Sequence, residues 1–277
     1  MDLEQFIQSV NLKESTKAIL SETQDLTGKP FEFRHDPSLP VLASVKIARS
    51  SMSNHIVTYS GTDPSALSHQ IAHECGHINR YYRAPTERRL VPSSDAKTLQ
   101  AAIIDIEARD KALLRSFPLE VRYRILPSLV SGLIYQLTNL PTDIYIEKWI
   151  FETYPDLRQD QCRSLEKTHR EAVEGLNPAL RSRLPRVVVD GSGAMNYAFF
   201  KKIDQITGST FLREFRRLPS KKIGESLYKL VRDDDTGLEG DILLVNEWAE
   251  RLKVTGWFKW IDFEEIPPDY ETRKFGS

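Results

Sequence analysis

The spacing of apolar and polar positions changes several times along the chain, and each change marks an element. Residues 41–60 hold two short runs rich in β-branched side chains, "VLASVKIA" and "HIVTYS", on either side of the polar turn "RSSMSN". That pattern predicts an antiparallel hairpin. From about Pro64 to about Tyr82 the period lengthens to that of a helix, with Leu67, Ile71, Cys75 and Ile78 on one apolar stripe. Asp63 is the expected cap, and Pro64 opens the helix where its missing N–H costs nothing. "APTERRLVPSSDAKT" reads as a loop between helices because of its two prolines and its polar residues. "DAKTLQAAIIDIEARDKALLRSF" predicts an amphipathic helix, and "LEVRYRILPSLVSGLIYQLTNL" a more apolar one, bent or broken at Pro127. Pro141 then opens a further helix, "PTDIYIEKWIFETY", with Ile144, Ile146, Trp149 and Ile150 as its apolar surface.

After Pro155 the pattern turns to charged helices, beginning with "LRQDQCRSLEKTHREAVEGL". A glycine-containing turn, "VVVDGSGAMNY", further helical patterns and a late strand in "TGWFKWIDFEEI" follow. The expected architecture is mainly helical α+β: a small twisted sheet beside the helix of residues 64–82, then a helical C-terminal region. A soft boundary near 156 divides residues 1–156 from 157–277.

Composition narrows the functional classes. A chain of 277 residues can bury a sizeable core, and a formal net charge of -1 offers no global attraction to nucleic acid or an anionic membrane. Cys75 and Cys162 form no CxxC pair and cannot build a disulfide framework, which points to a reducing compartment. The N-terminus lacks a basic region followed by an apolar run, and no stretch of 18 apolar residues exists, so the expectation is a soluble cytoplasmic protein. Arg213, Arg216, Arg217, Lys221 and Lys222 in "REFRRLPSKK" could contact phosphates, but Glu214 interrupts them and no base-reading motif accompanies them. A solvated helix surface is the expected reading there, and no nucleic-acid partner is expected.

The densest chemistry lies in "SHQIAHECGHINR", residues 68–80, where His69, His73 and His77 recur every fourth position and Glu74 follows the middle one. Side chains at i and i+4 sit about 40° apart around a helix, one turn above each other, so His73 and His77 can grip one metal ion. Glu74 is rotated to the side of that face, from which its carboxylate can reach water on the metal without being a ligand. Cys75 belongs to the apolar stripe as a core thiol, and Gly76, which costs a helix about 1 kcal/mol relative to alanine, signals close packing against a neighbour. His69, one turn earlier, is a possible ligand or a group supporting one. A catalytic zinc needs a third protein ligand. Asp143 and Glu147 in "NLPTDIYIEKW" are also four apart, so one could bind metal while the other holds a ligating imidazole. Asp105, Glu107 and Asp110 in "IIDIEARD" are the competing source.

The stretch "HIVTYSGTDPSALSHQIAHECGHI" resembles the edge strand, turn and active-site helix of zincin metallopeptidases, with HECGH where the short ImmA/IrrE-like families often have HELGH. The resemblance implies one zinc ion per chain, His73 and His77 as ligands and Glu74 as the catalytic base. The downstream pattern resembles the gluzincin arrangement, which puts Asp143 in the ligand position and Glu147 in the supporting one. The implied activity is hydrolysis of peptide bonds in a protein or peptide substrate, by zinc-activated water and with no covalent enzyme intermediate. The strand "HIVTYS" could align an extended substrate by main-chain pairing, and Tyr145, His169 and Tyr197 are candidate donors to an oxyanion. The alternative is a zinc-stabilised regulatory or interaction module without proteolytic activity.

Overall fold

The computed structural model describes residues 1–39, 41–60 and 64–267. In chain order the elements are α1 (Leu3–Ser9), α2 (Glu14–Thr27), β1 (Phe31–His35), β2 (Ala43–Lys46), β3 (His55–Tyr59) and α3 (Pro64–Arg83). β4 (Leu90–Ser93), α4 (Ala96–Arg109), α5 (Lys111–Arg115), α6 (Leu119–Thr153) and α7 (Arg158–Glu174) follow. The chain closes with α8 (Pro178–Arg181), α9 (Arg186–Thr207), α10 (Lys221–Tyr228), α11 (Gly237–Leu252) and β5 (Lys259–Asp262). The architecture is mainly helical, with one small mixed sheet and one two-stranded ribbon. No helix among the described residues is long and apolar enough to cross a membrane.

Two compact units form, and their boundary is not a single cut near 156. The first takes residues 1–89, 145–167 and the stretch from Asp262 onward; the second takes 90–144 and 168–261. Residue 156 lies inside the first unit because Leu157 is fully buried in its core and the Asp156 carboxylate accepts a 2.6 Å bond from the Ser15 hydroxyl at the start of α2. The division between units instead passes through α6, between Ile144 and Tyr145.

Within the first unit the predicted hairpin is present: β2 pairs antiparallel with β3, Val45 opposite Val57 and Ala43 opposite Tyr59. A third strand escaped the sequence reading. β1 pairs parallel with β3, Phe33 opposite Val57, so the order is β1-β3-β2. β3 is therefore the central strand, and both of its hydrogen-bonding edges are taken. The expectation that "HIVTYS" could pair with a substrate is corrected by that order. The core-facing side of this sheet carries Phe31, Phe33, Ala43, Val57 and Tyr59, all buried with Phe6 from α1 and Ile19 and Leu20 from α2.

α3 packs against α2 and β2 through its predicted stripe: Leu67, Ile71, Cys75 and Ile78 are all buried. Each aliphatic side chain so placed contributes roughly 1.5–3 kcal/mol. The expected cap, Asp63, lies outside the described residues. Burial pushes the Cys75 thiol up to about 12, so this residue stays protonated in the core beside Thr23. Gly76 meets α6, where a Cβ would lie 2.7 Å from Ile146 Cγ2. Only the missing side chain allows that approach.

α6 runs unbroken through Pro127 and Pro141, where a bend and a new helix start were expected. An interior proline costs a helix about 3 kcal/mol. Helical spacing nevertheless continues across Pro141, with Leu137, Ile144, Ile146 and Ile150 all buried, and burial of four such residues offsets the lost bond. In the second unit, the expected turn "VVVDGSGAMNY" is likewise interior to α9, where a Cβ at Gly191 would lie 3.3 Å from Leu133 Cδ1 and one at Gly193 2.9 Å from Ser220 Oγ. The loop expected between α3 and α4 contains β4, paired with the anticipated late strand, β5.

His55 opens β3 fully buried, its Nδ1 accepting a 3.0 Å bond from the Ala48 N–H. Burial, with the nearby charge of Lys29, lowers its pKa to about 4. Unfolded, the same ring takes up a proton near 6.5. Between those values the unfolded chain binds more protons, so this contribution to stability is complete above about pH 6.5 and declines as the pH falls toward 4. Thermal denaturation of wild type and His55→Gln across this range tests the linkage. The wild-type advantage should shrink on acidification, by up to on the order of 2–3 kcal/mol, and an advantage independent of pH contradicts it. At Gly76 the expectation runs against helix propensity: Gly76→Ala should lose about 1–2 kcal/mol in denaturant unfolding through collision with Ile146, and a stabilised variant would show the contact to be slack.

Candidate metal centre

Three elements supply the side chains. α3 presents His69, His73 and His77 one above another on the face away from its apolar stripe; α6 presents Asp143 and Glu147, also one turn apart; α7 presents Gln161. Glu147 and His69 are buried, whereas His73, His77, Glu74 and Asp143 are half-buried.

The Glu147 carboxylate is the hub. Its Oε1 lies 2.9 Å from His73 Nδ1 and its Oε2 lies 3.0 Å from His69 Nε2. The Gln161 amide donates to the same Oε2 at 2.6 Å and to the Glu147 main-chain oxygen at 2.8 Å. Burial alone would raise the pKa of this carboxyl, but attraction to His69 and the hydrogen bonds from His69 and His73 outweigh it and hold the group well below the usual carboxylate range. Glu147 is therefore ionised and can only accept. It follows that His73 carries its proton on Nδ1 and His69 on Nε2.

With Nδ1 committed, His73 turns the lone pair of Nε2 toward His77, whose Nε2 is 3.2 Å away. Two nitrogens on one tetrahedral ion, at the usual 2.0–2.1 Å, stand about 3.3 Å apart. Without an ion that spacing suits an N–H···N bond donated by His77, so a metal would take the place of one proton. Donor atoms of His73, His77 and Asp143 all lie within 4.8 Å of one another. Asp143 reaches this group on the helix that carries Glu147, one turn earlier. As two imidazoles and one carboxylate, these three residues could hold a metal ion.

A second trio, His69, His73 and Glu147, meets the same distance criterion. Its donor atoms already satisfy one another and Gln161 in a buried cluster, so it is complete without an ion. This makes Glu147 a support for His73, and His69 a support for Glu147.

The competing acids are engaged elsewhere, all within the second unit. Asp105 accepts from Arg109 at 2.8 Å and from the Trp257 indole at 3.0 Å. Glu107 faces Arg122 at 3.8 Å, and Asp110 accepts the Arg186 N–H at 2.7 Å. His169 and Tyr197 are also occupied there, His169 with the Phe211 carbonyl at 3.0 Å and Tyr197 with Glu225 at 2.5 Å. Tyr145 is buried in the first unit, with the Arg80 guanidinium 5.4 Å from its ring centroid. The five cations of "REFRRLPSKK" are all exposed, while Leu212 and Phe215 beside them are buried. Gln161 had no place in the sequence reading. The signal lay in the stripe Leu157, Gln161, Leu165, where a polar residue interrupts two buried leucines at helical spacing.

Comparison with known proteins found no matching family model, no similar curated protein and no matching solved structure. The likeness of residues 55–78 to zincins thus stands alone, and the assignment of the site depends on its own geometry.

Elemental analysis of purified protein tests the ligand set. About one divalent ion per chain is expected in wild type and in Glu107→Ala, and loss of that ion in His73→Ala, His77→Ala and Asp143→Ala. Retention in Asp143→Ala would move the third ligand elsewhere.

Proposed function

We propose that this protein is a zinc-dependent metallopeptidase, with His73, His77 and Asp143 as ligands and Glu74 as general base. The observation that carries this reading is the 3.2 Å approach of the His73 and His77 Nε2 atoms, with the Asp143 carboxylate beside them. Two imidazoles and one carboxylate suit zinc, and a three-residue set is that of a catalytic rather than a structural ion, which normally closes all four positions.

Bound zinc supplies Lewis acidity toward a water and toward the oxygen of a scissile carbonyl. The remaining work falls to the chain. Glu147 fixes the tautomer and ring plane of His73, so that its Nε2 needs no rearrangement to bind. Glu74 follows His73 on α3 and is half-buried; in this reading its carboxylate accepts the proton of the attacking water and returns it to the departing amine. Because β3 is enclosed between β1 and β2, an extended substrate cannot pair with it. In this reading a peptide is held by other groups around the half-buried ligands.

Glu74 also separates this reading from that of a zinc-stabilised interaction module, in which no proton transfer is asked of it. Glu74→Gln should keep its zinc and fold while losing about 10²–10⁴-fold in cleavage of a peptide mixture followed by mass spectrometry. Equal cleavage by wild type and variant would remove Glu74 as the base, and no cleavage by zinc-loaded wild type would favour the module.

A further inference from the structure

We infer that Gln161, on α7, is a positioning residue for the metal centre, acting through Glu147 to hold the imidazole of His73. The inference rests on the metal reading above and extends it to a residue that no HExxH-type spacing marks. Gln161 is fully buried, and its Nε2 reaches both the main-chain oxygen and Oε2 of Glu147, at 2.8 and 2.6 Å. One amide thereby fixes the backbone and the carboxylate of the same residue. A flipped amide would set its oxygen against the Glu147 main-chain oxygen, which can only accept, so only this orientation is stable.

Two further observations argue against a merely packed glutamine. Leu157, one turn earlier, and Leu165, one turn later, are both buried, and with the buried Asp160 and Ser164 they place Gln161 on the inward face of α7, where an amide must find its partners inside the protein. Its Oε1 is buried with no hydrogen-bond partner among the described residues. Such an orphan costs about 1–3 kcal/mol. The two groups that its amide nitrogen does reach both belong to Glu147.

His69 completes the arrangement from the opposite side. Oε2 takes hydrogen from both His69 and Gln161, which leaves Oε1 to His73. Without Gln161 the carboxylate keeps one donor at Oε2 and can rotate about its terminal torsion. His73 then loses its fixed Nδ1–H partner and spends part of its time in the tautomer that cannot bind metal through Nε2.

The test compares zinc binding by wild type, Gln161→Met and Leu165→Ala, using competition with a chromophoric chelator. Methionine keeps the volume and removes the donor; Leu165→Ala loosens the same helix and leaves the Gln161 amide in place. Melting temperatures of the metal-free proteins give the structural reference. Gln161→Met should bind zinc about 10–100-fold more weakly than wild type, and Leu165→Ala should bind as wild type does despite its lower melting temperature. In the metal-free proteins, the nitrogen resonances of His73 should report a proton held on Nδ1 in wild type and a tautomer mixture in Gln161→Met. Unchanged affinity in Gln161→Met, or an equal loss in Leu165→Ala, overturns the inference. Failure of wild type to take up zinc overturns the metal reading itself, and it is seen without reference to either variant.

Discussion

One buried carboxylate organises the first unit. An ionised group with almost no exposure to solvent costs several kcal/mol unless its oxygens are matched by donors, and Glu147 is matched on both. Each donor comes from a different place: two from successive turns of α3 and one from α7. The carboxylate itself arrives on α6. Satisfying this single charge therefore requires three helices to meet at fixed rotation. Any slip of one helix along another by a fraction of a turn would leave a charge or a ring nitrogen without a partner.

α3 and α6 solve the same problem in the same way. Each devotes one stripe to the apolar core and a separate stripe to polar side chains four residues apart. Cys75 and Ile78 fall on the first stripe of α3, His73 and His77 on the second. On α6, Ile146 and Ile150 are buried while Asp143 and Glu147 turn to the histidines. Since the core fixes how each helix is rotated, the polar stripes have little freedom, and rigid side-chain geometry at the site is a by-product of hydrophobic packing.

Much of this was legible from residue order. The stripe of α3 follows from the period of four apolar residues, the close approach at Gly76 from the presence of glycine in mid-helix, and the pairing of β2 with β3 from two β-branched runs around a polar turn. What escaped did so for identifiable reasons. β1 is five residues long, too short for alternation to stand out, and its parallel partner lies more than twenty residues away. The prolines of α6 were read by their local penalty, which burial further along the helix outweighs. The glycines of α9 were read as a turn, although close contact between elements also selects glycine. The division of the chain could not be seen, because it runs through the middle of a helix and each unit is assembled from separated segments. Gln161 carries no motif at all; on a helix whose buried face also holds Asp160 and Ser164, only a three-dimensional view shows which group its amide serves.

The Gly76 contact has a consequence for the proposed centre. His73 and His77 stand on α3 and Glu147 on α6, so the reach between them depends on how near the two helices lie, and Ile146 rests on the bare Cα of Gly76 where they meet. The separation of the polar groups is thus gauged by a residue that has no side chain and belongs to neither set. Widening that gap would call for a different spacer rather than a different polar residue.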